Sequence, residues 1–375
     1  MKPLMILLFF VVCGITGKAQ NENNYNEIDK IVLDIPASQT NTTAGIAAYV
    51  QKHFDTDGKK VRAAYTWVIT NIKYDTDSIH RVILDEDREV KVTYALRRRK
   101  GVCENFAAIF NGICIKSGIR SFVIEGYTKQ NGSINKSPHA WCAALVDNNW
   151  FLFDPTWDAG FIRSGRFISQ IKTNYFQVSP INFIDTHMPI DPLFQFLNYP
   201  FTYKEFSEGN AKINNSNSFF NYADSINVYE KLDPLSRYLA TIYRIEKYGW
   251  QASINDTKLK QIKLEIEIIY QDKDMALYNS AVADYNDAIA IFNIFLNYRN
   301  NQFQPAKSND EVESMFNRIG KLVPAANLKL NEVNRSKARL ILDTGDIQKK
   351  LNGLTSNVKE QEIFLKNYLS ALKEK

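Results

Sequence analysis

Apolar residues recur along this chain with two different periods, and the period changes where reactive side chains begin to cluster. Phe106, Ile109, Phe110 and Ile113 follow at helical spacing, and the run closes at Lys116-Ser117-Gly118-Ile119. There a glycine suits the position just past a helix end and an isoleucine can fold back on the last turn. Earlier helices are predicted over Ala44–Phe54, over Val61–Ile72 with Trp67 on the apolar side, and over Lys91–Lys100. Ser121–Tyr127 reads as a strand, followed by a polar loop from Thr128 to Pro138 that turns at Asn131-Gly132. His139-Ala140-Trp141-Cys142-Ala143-Ala144-Leu145-Val146 and Trp150-Phe151-Leu152-Phe153-Asp154 are rich in aromatic and β-branched residues on either side of a polar triplet. A β-hairpin is predicted, with a two-residue turn at Asn148-Asn149.

From about Tyr203 the pattern is helical throughout. Asp233-Pro234 starts a helix by capping preference, Leu235, Leu239, Ile242 and Ile245 line one face, and Gly249 stops it. Leu259, Ile262, Ile266 and Ile269 repeat the pattern, as do Tyr285–Tyr298 and Val312–Leu322. Ser356 begins a last amphipathic helix carrying Ile363, Phe364, Tyr368 and Leu372. No fixed repeat period joins these helices, so a bundle rather than a repeat array is expected. The fold class predicted is α+β: a helix packed on an antiparallel sheet, followed by an all-α C-terminal bundle.

With 375 residues, 45% of them hydrophobic and 23% charged, the chain is long enough for two or three ordinary globular domains. The formal charge of +5 is small and dispersed, which argues against nucleic acid and against an anionic membrane surface as partners. Met1-Lys2, the apolar run Leu4–Val12 and Gly17-Lys18-Ala19 read as a secretory signal peptide cleaved after Ala19, too short to span a bilayer. Val11-Val12 before Cys13 do not supply the small residue that a lipidated cysteine wants. The expected product is exported, periplasmic or extracellular, with no membrane span after signal removal. The segments are then 1–19 signal peptide, 20–57 N-terminal extension, 58–202 catalytic domain and 203–375 helical domain. The helical segment holds no histidine or cysteine and is available to bind a protein partner rather than to do chemistry.

Gly101-Val102-Cys103-Glu104 places Cys103 at the mouth of the Phe106–Ile113 helix. The unpaired N–H groups and positive dipole end of a helix N-terminus favour a thiolate, the form of cysteine that acts as a nucleophile. His139 opens one strand of the predicted hairpin and Asp154 closes the other. An imidazole there can take the thiol proton while a carboxylate holds its second nitrogen. The expected turn leaves His139 and Asp154 a few residues out of register, a gap that a bulge or sheet coiling has to close. Cys114 and Cys142 have two readings, a disulfide at the helix–sheet interface or two buried thiols. Arg97-Arg98-Arg99-Lys100 is either a solvated, dipole-matched helix end or a basic rim to the site. His53 is read as a surface helix residue, His80 as exposed in a polar loop, and His187 as a structural turn residue.

Gly-Val-Cys-Glu at a helix start, His-Ala-Trp on a strand and Trp-Phe-Leu-Phe-Asp-Pro-Thr-Trp-Asp, with its first Asp fifteen residues after the His, resemble the core of the transglutaminase-like superfamily within the papain-like fold. The kyphoscoliosis-peptidase-like branch is similar in two further places: Val61–Trp67 with Asn71-Ile72-Lys73-Tyr74-Asp75, and Tyr175-Phe176, Pro180 and Thr186-His187-Met188-Pro189. The resemblance covers about residues 60 to 200. It implies Cys103 as nucleophile, His139 as general base and then acid, and Asp154 as orienting carboxylate; no cofactor is expected, and zinc would need tighter ligand clustering than the cysteines and histidines offer. The expected substrate is a protein or peptide amide that forms a thioester on Cys103, through an oxyanion held by the Cys103 backbone N–H and one further donor that the sequence does not assign. Water as acceptor gives a peptidase or amidase, and an amine gives a transglutaminase. The same fold could also serve as a non-catalytic binding module.

Overall fold

The computed structural model describes residues 16–77, 88–135, 137–209, 218–247, 253–338 and 342–373. Most of the expected signal peptide, His80 and Gly249 lie outside those residues. The chain divides into two compact units: one ends at Asp233 and takes in Ala240–Asp256, and the other holds Pro234–Leu239 and Thr257–Lys375.

The first unit begins with helices α1 (Thr16–Leu33), α2 (Thr43–His53) and α3 (Asp57–Asn71), strand β1 (Lys73–Tyr74), helix α4 (Arg88–Arg98), strand β2 (Lys100–Gly101) and helix α5 (Cys103–Lys116). Strands β3 (Ser121–Gln130), β4 (Ser133–Ile134), β5 (His139–Val146) and β6 (Asn149–Phe153) follow, then helix α6 (Pro155–Ala159) and the hairpin β7 (Gly160–Arg163) and β8 (Arg166–Ser169). Helix α7 (Pro180–Phe183), strand β9 (His187–Pro189) and helices α8 (Tyr203–Glu208) and α9 (Tyr222–Tyr229) come next. The main sheet runs β4-β3-β5-β6, with β9 added to β3.

Strand β5 explains the layering. Ala140, Cys142, Ala144 and Val146 face one way, into a core with Trp67, Phe106, Phe110 and Ile113 of α3 and α5. Trp141 and Ala143 face the other way, against Phe183, Leu193, Phe196 and Ile226. A strand covered on both faces carries a nearly continuous apolar run, as this one does. Two expected segment limits look different in this packing. Ile28, Val32, Ile46 and Val50, from the stretch read as an N-terminal extension, are buried in the same core as α5. Beyond Tyr203 the chain still serves the first unit: Phe206 packs with Met188 and Phe201, and Arg244 forks onto Asp191 through bonds of 2.7 and 2.6 Å. Ile226, with Phe220, Tyr222 and Tyr229 around it, joins Phe183, Leu193 and Phe196 in covering the second sheet face.

Several predicted elements shift at their ends. Residue Arg99 adopts φ 54°, which stops α4 at Arg98 and turns Lys100–Gly101 into a strand paired in parallel with β1. Helix α10 (Pro234–Lys247) starts at the predicted proline, and from Ala240 onward it belongs to the first unit. The two patterns expected at 259–269 and 285–298 fuse into one helix, α11 (Ser253–Asn300). Helices α12 (Asn309–Asn334) and α13 (Gly345–Lys373) both run longer than predicted. Ala281, Phe295, Ala326, Leu330 and Leu351 form the centre of the second unit. Among the described residues no helix is long and apolar enough to cross a membrane.

Candidate active site

The first turn of α5 presents Cys103. Val102, in extended conformation, is the cap residue and offers no side-chain acceptor to the first turn. Its own N–H is instead held by Asn105 Oδ1 at 2.9 Å, which fixes the entry of the chain into the helix. The far end closes as predicted: Gly118 takes φ 86°, and the Ile119 N–H donates to the Cys114 carbonyl at 2.9 Å, a Schellman closure. With both ends fixed and Phe106, Ile109, Phe110 and Ile113 fully buried, Cys103 is half-buried on a rigid element.

The hairpin turns one residue earlier than predicted. Asp147 and Asn148, at φ 48° and 63°, form the turn, so that Val146 pairs with Asn149 and Cys142 with Phe153. Two consecutive positive φ angles match the twist of tight hairpins, and Asp and Asn are among the residues that tolerate them. Continuing that register sets Asp154 opposite Trp141, two residues from His139 on the same face. No bulge is needed, because side-chain reach along the face closes the gap: His139 Nε2 lies 2.8 Å from Asp154 Oδ2.

Asp154 is fully buried and caps α6, its Oδ1 accepting from the N–H groups of Thr156 and Trp157 at 2.9 and 3.2 Å. Oδ2 faces a second imidazole, His187, whose Nε2 is 3.1 Å away. This residue was expected in a structural turn. It instead lies on β9, buried, with Nδ1 2.8 Å from Thr186 Oγ1. Strand β9 reaches that position because Gly126 has no side chain: a Cβ there would come within 2.1 Å of the Met188 carbonyl and 2.3 Å of the Trp141 ring.

The electrostatics separate the two histidines. Burial works against a charged His139, but the Asp154 charge and hydrogen bond, with a hydrogen bond and charge from Cys103, outweigh it and lift its pKa to about 10. Burial lowers His187 more than its bond to Asp154 raises it, leaving it at about 4. For Asp154 burial alone would raise the carboxyl, yet the charge and hydrogen bond of His139, followed by those of His187, hold it far below the usual carboxylate range.

Cys103, His139, Tyr74 and Trp157 line one open cavity of about 600 Å³, together with Thr156, Lys172 and the apolar residues Phe161 and Phe167 of the β7–β8 hairpin. Tyr74 stands on β1 opposite Gly101, stacked on Phe106 with centroids 6.4 Å apart. Burial and then the charge of Cys103 push its hydroxyl up to about 12. The basic run before Cys103 does not line this cavity. Arg98 and Lys100 pair with Asp75 at 3.0 and 3.2 Å, and Arg99 lies over Trp67 at 4.9 Å. Cys114 and Cys142 are buried thiols outside any disulfide, and Cys142 donates to the Ala107 carbonyl at 3.2 Å. Among the described residues His139, Asp154 and His187 have potential ligand atoms within 4.8 Å of one another, close enough for a metal ion. Both Nε2 atoms, however, already converge on Oδ2 at hydrogen-bond distances, which accounts for the spacing without one.

A helix opening on a cysteine, packed against an antiparallel sheet that carries a histidine–aspartate pair, defines a transglutaminase-like α+β core. The family model for the transglutaminase-like superfamily matches residues 44–155, a transglutaminase-like domain, and the chain is similar to the kyphoscoliosis-peptidase-like branch. The kyphoscoliosis peptidases of Homo sapiens and Mus musculus are 30% and 29% identical over 186 residues, which is 46% of this chain and 28% of theirs. Hillarin of Drosophila melanogaster is 21% identical over 202 residues, 48% of this chain and 24% of its own. The chain thus spans under a third of the length of these relatives. The crystal structure of a TGase is similar at 19% identity with a TM-score of 0.24, covering 44% of this chain and 38% of its own.

Proposed function

We propose that this chain is an exported thiol hydrolase that cleaves peptide or other amide bonds outside the cytoplasm, with Cys103 as nucleophile, His139 as base and acid, and Asp154 as its orienting partner. The observation that carries the reading is the 2.8 Å bond from His139 Nε2 to Asp154 Oδ2 beside Cys103 in an open cavity. With Nε2 committed to the carboxylate, Nδ1 is the nitrogen left for the thiol. The thiolate attacks the amide carbonyl carbon and the carbonyl π electrons move onto oxygen. Two donors suit that oxyanion: the Cys103 backbone N–H at the helix start, and the hydroxyl of Tyr74, which has no hydrogen-bond partner among the described residues. Collapse of the tetrahedral adduct breaks the C–N bond, His139 gives its proton to the leaving amine, and a thioester remains. Water, deprotonated by His139, then releases the acid.

The test is the rate of Cys103 alkylation by iodoacetamide at pH 6 and pH 9, in the protein and in His139→Ala. An isolated thiol loses about tenfold in rate for each pH unit below its pKa of about 8.5. The reading expects a pH 6 rate far above that of free cysteine, lost in His139→Ala. A wild-type profile matching free cysteine would sink it, and would favour a binding module on the same fold. Incorporation of a fluorescent amine into a glutamine-bearing protein, lost on Cys103→Ala, would replace hydrolysis by amine transfer.

A further inference from the structure

We propose that His187 is a positioning residue for the same centre, a neutral N–H donor that clamps the carboxylate oxygen orienting His139. The proposal rests on the Cys103–His139–Asp154 reading and adds a fourth member to it.

The hydrogen-bond roles are forced in sequence. An ionised carboxylate only accepts, so the 3.1 Å contact with Asp154 Oδ2 places the proton on His187 Nε2. A neutral ring then leaves Nδ1 as acceptor, so Thr186 Oγ1 donates to it at 2.8 Å in preference to the Phe183 carbonyl at 3.5 Å. Thr186 thereby supports the tautomer that the carboxylate selects. The surroundings keep the ring neutral and still: Phe183 stacks on it at 4.1 Å, and Trp157, Trp141 and Tyr175 close the box at 4.6, 5.1 and 5.4 Å. A site made only for packing among four aromatic rings would suit phenylalanine, with no polar atoms to desolvate. Here both ring nitrogens are used, one on the carboxylate and one on the Thr186 hydroxyl.

The effect on Asp154 is rotational. Two backbone N–H groups hold Oδ1 and two imidazoles hold Oδ2, so all four acceptor positions are filled and the carboxylate has one orientation. Without His187, Oδ2 keeps a single partner, and that partner is the residue it has to aim. His139 then gains freedom to turn its Nδ1 away from the thiol, and displacements of about 1 Å at such centres cost up to about a hundredfold in rate.

The experiment compares wild type, His187→Phe, His187→Gln and Thr186→Val by iodoacetamide alkylation at pH 6 and pH 9, and by the pre-steady-state burst with p-nitrophenyl acetate. His187→Phe is expected to lose about tenfold in alkylation at pH 6 and in burst rate, with the pH 9 alkylation rate unchanged because hydroxide generates the thiolate there. His187→Gln, which keeps an N–H donor, is expected to recover most of the loss, and Thr186→Val to move in the direction of His187→Phe. A fast wild type with an unchanged His187→Phe profile overturns the role of His187 and leaves the triad standing. If His187→Phe does not fold, a Thr186→Val profile identical to wild type overturns it equally. A wild type no faster at pH 6 than free cysteine removes the triad and this proposal together.

Discussion

Replacing His187 by phenylalanine should change how stability depends on pH, and the direction follows from its burial. Its pKa falls from an ordinary 6.5 to about 4 in the fold, so the native state resists a proton that the unfolded chain accepts. For a base with a depressed native pKa, the stabilisation is complete above 6.5 and is lost as pH falls from 6.5 toward 4. The full depression corresponds to about 3 kcal/mol, and at pH 5 about 2 kcal/mol is already gone. Asp158 works in the opposite sense. Burial dominates over its bond from Tyr65 and lifts its carboxyl to about 6. The native state therefore takes a proton before the unfolded chain does, and gains stability as pH falls through the same window. His139 is constant there, since its raised value matters only between 6.5 and about 10. Wild type should accordingly be nearly level between pH 7 and pH 5, while His187→Phe should become more stable on acidification. Comparing the two proteins cancels Asp158 and isolates His187. The assay is urea unfolding followed by tryptophan fluorescence, which reports on the first unit because all five tryptophans precede Thr257. At pH 7 the variant is expected to be less stable by about 1–3 kcal/mol from the donor lost at a buried carboxylate. At pH 5 the difference should shrink by about 2 kcal/mol. A difference that stays constant between the two pH values would refute the claim that His187 is buried neutral.

Other consequences are as direct. Tyr74→Phe removes only a hydroxyl and should lower turnover by about a hundredfold while leaving iodoacetamide alkylation unchanged, since alkylation forms no oxyanion; equal loss in both assays would move Tyr74 from the oxyanion to the thiolate. Asp154→Asn should reduce p-nitrophenyl acetate turnover by about 10³-fold or more by offering an N–H where the imidazole N–H needs an acceptor, and retention of a tenth of the wild-type rate would contradict the orienting role. Gly126→Ala places a Cβ 2.1 Å from the Met188 carbonyl and should cost about 1–3 kcal/mol as β9 is pushed off β3, measurable by urea midpoint together with a reduced pH 6 alkylation rate. Cleavage of the leader after Ala19 predicts that protein recovered from the export compartment begins at Gln20 by N-terminal mass, and a mass retaining Met1 there would count against it.

What the sequence made legible was whatever is written in local periodicity. The Cys103 helix and its glycine closure were readable because 3.6-residue spacing and a C′ glycine are both short-range signals, and the hairpin was readable as two strands around a polar triplet. Its register was not, because Asp147, Asn148 and Asn149 are all turn residues and only the backbone angles decide which two of them turn. One residue of difference in the turn moves the partner of Asp154 from Ala143 to Trp141, on the same face but two residues nearer His139, and so decides whether a bulge has to be invoked. Fusion of the 259–269 and 285–298 patterns into α11 was hidden for the opposite reason: the residues between them lack a strong apolar face, yet nothing among them breaks a helix.

His187 was illegible on physical grounds that are more general. Its partner lies thirty-three residues away, its strand has three residues, and that strand carries no alternation long enough to register. The signal was present in another form. Gly126 sits within an otherwise bulky strand, where a glycine marks the close approach of a second backbone, and Thr186-His187 sets a hydroxyl next to an imidazole, a pairing that supports one tautomer. Reading those two features together would have asked which backbone crosses Gly126 and what it delivers. The answer is β9, and what β9 delivers is an N–H group on the carboxylate that His139 already uses. The close approach at Gly126 and the orientation of Asp154 are therefore one design problem: the sheet gives up a side chain on β3 so that a second imidazole can reach a buried charge from the far side of Trp141.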